Sequence, residues 1–239
     1  PHTGKLSYAR VWSGEVPESV GWTGERVIDS ILSAHGREIS KLKNQKLRPF
    51  EEVIARWLKS MDLIQSFRVS PISENRREYE VLVKTKGSVS EVNLTDVGFG
   101  VSQVLPVLVE CFYAPSGSIV VMEQPEIHLH PAVQAHLADL FIEVIRSWED
   151  GKARDTQLII ESHSEHFLRR LQRRIAEKKL FREEVAIYVC SMSKGQGRIE
   201  PLDVDMFGNI TNWPTDFFGD PMEDLTAMME ARASRKGEE

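Results

Sequence analysis

The sequence predicts an α/β fold, with a mostly parallel sheet flanked by helices and an antiparallel hairpin region at the front of the chain. Short, fully apolar strands alternate with long helices after Asp96, a pattern typical of a parallel sheet with helices on its faces. Before that point, apolar and polar residues alternate on both sides of Lys86-Gly87, which predicts a β-hairpin. The 239 residues are 41% hydrophobic and 28% charged, which matches a globular protein and excludes disordered and fibrous classes.

The individual elements follow from hydrophobic periodicity along the chain. A short helix is predicted after Thr23, a residue type that caps helices, and a second begins at Pro49, whose fixed φ suits a first turn. Further helices are predicted over residues 101–112, 132–148 and 165–178, and apolar strands over 118–122, 157–160 and 185–190. A last hairpin is expected around residues 195–197, and a terminal helix over 225–234.

Composition and charge limit the functional classes. The 30 Lys and Arg residues against 36 Asp and Glu residues give a formal charge of −6, which disfavours a uniformly basic nucleic-acid-binding surface. Cys111 and Cys190 each lie in an apolar run, which favours reduced thiols over disulfides. No apolar stretch approaches the roughly 20 residues of a membrane span, so we expect a cytoplasmic protein.

The chain opens at Pro1 with a loop-like stretch, and we expect an upstream part to precede it.

The candidate chemistry lies where two predicted strands end. Glu123 closes the first strand, and His163 follows the second. Because the carboxyl ends of parallel strands meet at one edge of a sheet, we expect these two side chains to lie close together. A carboxylate there suits a phosphate-bound Mg²⁺, and a carboxylate and a histidine on adjacent strand ends suit phosphoryl transfer. We therefore predict a phosphoryl-transfer site with Glu123 as the metal ligand.

A glycine-rich turn opens the helix that precedes the first of these strands. Its sequence runs Asp96-Val-Gly-Phe-Gly-Val-Ser-Gln103. Such a turn presents backbone N–H groups and a helix N-terminus to an anion, although a plain tight turn is the simpler interpretation of the turn alone. Its combination with the strand-end residues favours nucleotide binding.

In this order, the three elements resemble the C-terminal lobe of an ABC-type ATPase head of the RecF, SMC and OLD-like group of P-loop NTPases. The glycine turn is similar to that family's signature motif, and Met122-Glu-Gln-Pro-Glu126 to its Walker B strand end. His128-Leu-His-Pro131 is similar to the D-loop region, and Ser162-His163 to the switch histidine. With the ending Phe207-Gly-Asn-Ile-Thr-Asn-Trp-Pro-Thr-Asp-Phe-Phe218, the chain resembles prokaryotic AAA-family ATPases that carry an uncharacterised C-terminal module.

The resemblance implies an ATP-binding and ATP-hydrolysing head that acts as a dimeric ATP-gated clamp, in DNA repair or antiphage defence. ATP would lie between two lobes or subunits, with Mg²⁺ as cofactor, a second head as homodimer partner, and DNA or an effector protein as further partners. Glu123 would bind the Mg²⁺ and His163 would contact the γ-phosphate. Gly98, Gly100 and Ser102 would face the nucleotide of the opposing subunit, and Asp96 and Gln103 are further cofactor-binding candidates in the same turn.

The resemblance also divides the chain into three parts. Residues 1–95 would be the end of an N-terminal lobe plus a helical and hairpin region. Residues 96–192 would be the lobe with the signature, Walker B and switch histidine, and residues 193–239 a C-terminal hairpin and tail module.

The chain departs from this family at the phosphate-binding loop. It has no Gly-x-x-x-x-Gly-Lys-Ser/Thr, and Thr3-Gly4-Lys5-Leu6 is no substitute because Leu6 lacks the hydroxyl that binds Mg²⁺. We therefore expect that the chain alone does not bind ATP tightly. ATPase activity is expected only when a Walker A-containing lobe completes the site.

A second departure concerns the catalytic base. Most relatives have Asp-Glu at the strand end, whereas this chain has Glu123-Gln124. An amide orients water but does not accept its proton at neutral pH. Hydrolysis is therefore expected to be slow, or to use Glu126 or a group elsewhere. The catalytic candidates in this chain are Glu123, Gln124, Glu126 and His163. A non-catalytic dimerisation or scaffold lobe that has lost hydrolysis is the alternative.

Other patterns leave further alternatives open. The helix after His163 is either a solvated face or a contact for DNA phosphates, through Arg169, Arg170, Arg173, Arg174 and Lys178. A zinc site is disfavoured because the histidines at 128, 130, 136, 163 and 166 lack the usual ligand spacing. A nuclease is disfavoured because Asp203 and Asp205 have no further acidic cluster beside them. The aromatic residues of Trp213-Pro214 and Phe217-Phe218 either pack the last hairpin or anchor a partner.

Overall fold

The computed structural model describes residues 10–12, 14–71, 78–97, 99–193, 195–213 and 226–229. The chain forms two compact units, residues 1–171 and residues 172–239. The three-part division expected from the sequence stays a prediction. Thr3 to Leu6, Gly98 and the Phe217-Phe218 pair lie outside the described residues. Within the described ranges, no helix is long and apolar enough to cross a membrane.

Helices and strands follow the periodicity closely. The helices are α1 (Val27–Ser33), α2 (Phe50–Ser60), α3 (Phe99–Tyr113), α4 (Pro131–Arg146) and α5 (Glu165–Ala176). The strands are β1 (Arg10–Val11), β2 (Glu38–Ser40), β3 (Arg48–Pro49), β4 (Ser66–Pro71), β5 (Glu78–Lys84), β6 (Val92–Asn93), β7 (Ile119–Glu123), β8 (Trp148–Glu149), β9 (Lys152–Ala153), β10 (Gln157–Glu161), β11 (Tyr188–Ser193) and β12 (Gln196–Pro201). Residues 226–229 are helical, inside the predicted terminal helix, whose other residues lie outside the described ranges.

The α/β class is confirmed, but the expectation of a mostly parallel sheet is wrong. β7 and β10 pair in parallel, whereas the other ladders between described strands are antiparallel. β5 pairs with β1, β4 and β6, and β2 pairs with β3 and β8. The third apolar strand expected in the parallel sheet, β11, instead turns back at Gly195, whose φ of +78° suits glycine, and pairs with β12. Chain reversal through a short turn gives an antiparallel pair, because a parallel partner needs a long crossover.

The core of the first unit surrounds α3. This helix is apolar on almost every side, and its buried residues include Val104, Leu105, Leu108, Val109 and Phe112. An all-apolar helix of this kind is typical of a position between layers. α2 instead buries one face, because its apolar residues recur at helical spacing. One buried face of α4 completes the cluster.

A buried arginine fixes the connection between α3 and β7. The side chain of Arg154 is fully buried, and its guanidinium donates to the carbonyl oxygens of Cys111 (3.1 Å) and Ala114 (2.5 Å) at the end of α3. Its own carbonyl accepts the N–H of Gly117 at 2.6 Å, two residues before β7 begins. Burial lowers the pKa of Arg154, and Glu149, with Oε2 3.3 Å from its Nε, opposes that shift. This arginine therefore links β7 to the core.

The second unit is built on the β11–β12 hairpin, as the sequence predicts. Asp205 holds the following turn, because its carboxylate accepts the N–H groups of Phe207 and Asn209, both at 2.8 Å. These bonds lower the pKa of Asp205, the Asn209 side chain contributing most. They give Asp205 a structural role in this turn.

Candidate functional site

The two predicted strand ends lie side by side. In the β7–β10 pair, Ile119 is level with Gln157, and Glu123 is level with Glu161. Residues level across a ladder face the same side of a sheet. Both strands alternate between exposed and more buried positions, and Glu123 and Glu161 are on the exposed face. Two carboxylates therefore share the carboxyl edge of this parallel pair.

Gln124 joins the end of β7 to the end of β10. Its φ of +47° bends the chain immediately after the strand. Its backbone N–H donates to the carbonyl oxygen of Glu161 at 2.9 Å, and its side-chain Nε2 lies 3.3 Å from Glu161 Oε1. The side-chain amide of Gln124 is thus engaged with a neighbouring carboxylate.

His163 lies between two carboxylates, one at its ring and one at its backbone. Its ring is 71% exposed, and Nε2 lies 3.5 Å from Glu161 Oε1. Its backbone N–H donates to Glu126 Oε1 at 2.7 Å. Glu126 is buried, with 6% of its surface exposed. The structure thus brings together Gln124, Glu126 and His163 around the β10 end.

The segment after β10 is tied to α4 as well. Ser164 Oγ donates to Gln134 Oε1 at 2.6 Å and accepts the N–H of Phe167 at 3.0 Å, which caps the start of α5. Gln134 Nε2 donates to the carbonyl oxygen of Leu129 at 2.9 Å. The segment after β10 and the segment before α4 are therefore bonded to each other through a side chain of α4.

His130 and His136, at the start of α4, make local contacts with the backbone of that helix. His130 is the N-cap of α4, and its Nδ1 accepts the N–H of Ala132 at 3.2 Å. His136 Nδ1 lies 2.9 Å from the carbonyl oxygen of Ala132. Among the described residues, no group of three or more His, Cys, Asp or Glu side chains is arranged to hold a metal ion. His130 and His136 therefore contribute to the start of α4 through these contacts.

The glycine turn leads directly into α3, which begins at Phe99. Asp96 is exposed in a short 3₁₀ turn, and Gly100 lies close to Leu63, whose Cδ2 would be 3.4 Å from an added Cβ. Gln103 is buried, which does not favour its contact with an external nucleotide. Ser102 lies in the first turns of the helix.

The basic side chains of α5 are paired with carboxylates. Arg169 and Arg173 bond to Glu165 and Glu177 at 2.7 Å, one helical turn away. Arg170 bonds to Asp139 at 2.7 Å. Arg174 bonds to Glu177 at 2.5 Å. Hydrogen bonds from Arg173, Arg174 and Lys179 lower the pKa of Glu177 to about 2. Nucleic acid contact by this face, including Lys178, stays a prediction.

Sequence reasoning did not select Glu161. The signal was available, because Glu161 ends an apolar strand in the same way as Glu123 does. Its importance comes from the pairing, which places it next to Gln124 and His163. Periodicity identifies strands but does not say which of them are neighbours.

The donor set fits Mg²⁺ and a nucleotide phosphate. Glu123 offers oxygen ligands at an exposed strand end, which suits a hard cation. The exposed ring of His163 offers a nitrogen at the same edge. The predicted roles of these residues remain proposals.

The chain has distant structural relatives among solved structures. A search of curated proteins found no match. Among solved structures, the chain is similar to one whose description is "Structural biochemistry of ATP-driven dimerization and DNA stimulated activation of SMC ATPases". The sequence identity is 15% and the TM-score is 0.46, and the match covers 64% of this chain and 83% of that chain. It is also similar to an Smc head domain from Pyrococcus furiosus bound to the C-terminal domain of ScpA, at 13% identity and a TM-score of 0.46, covering 77% of this chain and 37% of that one. An SmcHead bound to the C-winged helix domain of ScpA matches at 13% identity and a TM-score of 0.46, covering 65% of this chain and 43% of that one.

Two family models match the sequence directly. A family described as a protein of unknown function (DUF3696) matches residues 181–228. The AAA ATPase domain matches residues 25–168, a range that includes the β7–β10 edge and most of the core. ATP is the nucleotide of such domains. Because this second match covers more than half of the 239 residues, the chain belongs to the AAA ATPase domain family.

Proposed function

We propose that this chain is the signature, Walker B and switch part of an ABC-type ATPase head that binds and hydrolyses ATP as a dimeric clamp. The observation that carries the proposal is the in-register pairing of Glu123 with Glu161. This pairing gathers a carboxylate for a metal, an amide for water and a histidine for phosphate at one edge. The family match supports ATP as the nucleotide.

Each residue then has a chemical role. Glu123 holds Mg²⁺, which, when bound, neutralises charge on the phosphates. The His163 ring donates to the γ-phosphate. Gln124 orients the attacking water, and because an amide does not accept a proton, hydrolysis is slow. Gly100 and Ser102 face the nucleotide of the opposing subunit.

An uncovered apolar face supports completion by a further lobe. Ile119, Val121 and Ile159 are 58–64% exposed on the face of the β7–β10 pair that also carries Glu123. Parallel strands are normally covered on both faces. We propose that a Walker A-containing lobe covers this face and supplies the phosphate-binding loop.

The engaged amide of Gln124 favours a second candidate, a dimerisation or scaffold lobe without hydrolysis. Sedimentation of the complete protein with and without Mg-ATP, followed by product analysis, separates the two. Dimers that form with ATP and release ADP support the clamp ATPase. Dimers that keep ATP intact support the scaffold, and a monomer with and without ATP contradicts both.

A further inference from the structure

Glu126 is a buried carboxylate with a specific partner on a different segment. It lies between β7 and α4, and its Oε1 accepts the backbone N–H of His163, which lies between β10 and α5, at 2.7 Å. Its other oxygen, Oε2, is buried and has no hydrogen-bond partner in the described part of the chain. A buried carboxylate is costly to keep, so this contact is a strong local constraint.

We propose that Glu126 is a positioning residue that fixes the backbone of His163, and not the base of hydrolysis. A general base must reach the proton that it removes, either directly or through one water molecule. One oxygen of Glu126 is occupied by an N–H group, and the other has almost no accessible surface. The catalytic consequence rests on the proposed function; the positioning itself does not.

The hydrogen bonds of the neighbouring Ser164 help Glu126 to fix the backbone at His163. Ser164 is held by Gln134 and caps α5, so the chain is fixed immediately after His163. Glu126 fixes it at His163 itself. With both points held, side-chain torsions alone set the direction of the ring, whose Nε2 lies 3.5 Å from Glu161. Loss of the Glu126 bond frees the backbone that carries the ring.

Two substitutions separate positioning from base catalysis. Glu126→Gln keeps an oxygen that accepts the His163 N–H but cannot take up a proton at neutral pH. Glu126→Met has similar length and suits a buried position but has no comparable acceptor. A positioning role therefore predicts that Gln preserves function and Met impairs it, whereas a base role predicts that both abolish it.

The first measurement is amide hydrogen exchange at His163 in the 239-residue chain and its two variants. We expect exchange about tenfold faster or more in Glu126→Met, and within threefold of the parent in Glu126→Gln, because a hydrogen bond to a charged or polar acceptor is lost only in Met. The second measurement is Mg-ATP turnover by the complete protein. For Glu126→Met, kcat should fall about tenfold or more, with a smaller change in KM. For Glu126→Gln, kcat should stay within about threefold of the parent value.

Equal exchange in the parent and Glu126→Met would overturn the inference, as would a Glu126→Gln protein as inactive as the Met variant. If the complete protein hydrolyses no ATP, the proposed function fails, and the exchange experiment alone decides the positioning role. Melting temperatures of the variants confirm that each one is folded. Glu126→Gln serves as the matched control for side-chain size.

Discussion

Glu123 and Glu161 are direct partners across the parallel strands β7 and β10, and both are on the exposed face of the pair. Gln124 and His163 each contact the Glu161 carboxylate, at 3.3 and 3.5 Å. The edge therefore carries two acidic groups where a sequence motif alone suggests one. This arrangement leads to specific expectations for catalysis and stability.

Gln124→Glu should raise the ATPase rate of the complete protein by about tenfold or more. The new carboxylate can accept a proton from water, and general base catalysis contributes roughly 10²–10⁴-fold. Steady-state Mg-ATP hydrolysis measures the effect, with Gln124→Met as a control that removes the amide without supplying a base. An unchanged rate in Gln124→Glu would mean that position 124 does not serve as the base.

Arg154→Met should destabilise the chain by about 3 kcal/mol or more. The substitution leaves two buried carbonyl oxygens at the end of α3 without their donor, and each unsatisfied group costs about 1–3 kcal/mol. Urea unfolding measures the difference, and Lys152→Met, at an exposed position of β9, is the control. Similar losses in the two variants would contradict the anchoring role of Arg154.

The decrease in the stability of the protein at acid pH should depend on Glu177. Its folded pKa of about 2 lies below the ordinary value of 4.5, because Arg173, Arg174 and Lys179 donate to its carboxylate. A lowered folded pKa stabilises the protein above the ordinary value, and this contribution is lost as the pH falls from about 4.5 towards 2.

Glu177→Gln should therefore flatten the fall in melting temperature between pH 4.5 and pH 2, and differ from the parent most above pH 4.5. Glu183→Gln, at an exposed position, is the control and should follow the parent curve. A Glu177→Gln curve that also follows the parent would show that these bonds do not form in solution.

Ile159→Ser should affect the isolated chain and the complete protein differently. Ile159 is 58% exposed in this chain, so its loss should change the stability of the isolated chain by less than about 1 kcal/mol. A covering lobe would bury it, and removal would then cost about 1.5–3 kcal/mol. Thermal unfolding of both forms, with Val89→Ser as an exposed control, measures the difference. Equal effects in both forms would argue against a lobe on this face.

Nucleic acid binding, if carried by α5, should depend on Arg169 and Arg173, whose side chains are 70% and 62% exposed. Arg170 and Arg174 are mostly buried in their ion pairs and are poorer probes. Charge reversal at both exposed positions should lower the salt slope of binding to duplex DNA by about 2. An unchanged slope would assign any binding to another surface.

Hydrophobic periodicity predicts the helices well because the spacing of apolar residues in the sequence shows whether a helix buries one face or all of its faces. The start of α2 and both ends of α3 differ from prediction by only one or two residues. Glu123 and His163 can be selected from the sequence as candidates because the first ends an apolar strand and the second follows one, and their roles stay predictions. The sheet topology is not predictable in this way, because periodicity does not encode which strands are partners. The sequence of β11 predicts a strand of the parallel sheet, but β11 pairs with β12 in a hairpin. The contact between Glu126 and His163 likewise joins residues 37 positions apart and leaves no local pattern.

The most direct test of the central claim is Mg-ATP hydrolysis by the complete protein, measured beside Glu123→Gln and His163→Ala, with the 239-residue chain as a control. We predict hydrolysis by the complete parent protein, a loss of about 10²-fold or more in both variants, and no tight ATP binding by the chain alone. Rates that are equal in the parent and both variants would contradict an active site at the β7–β10 edge.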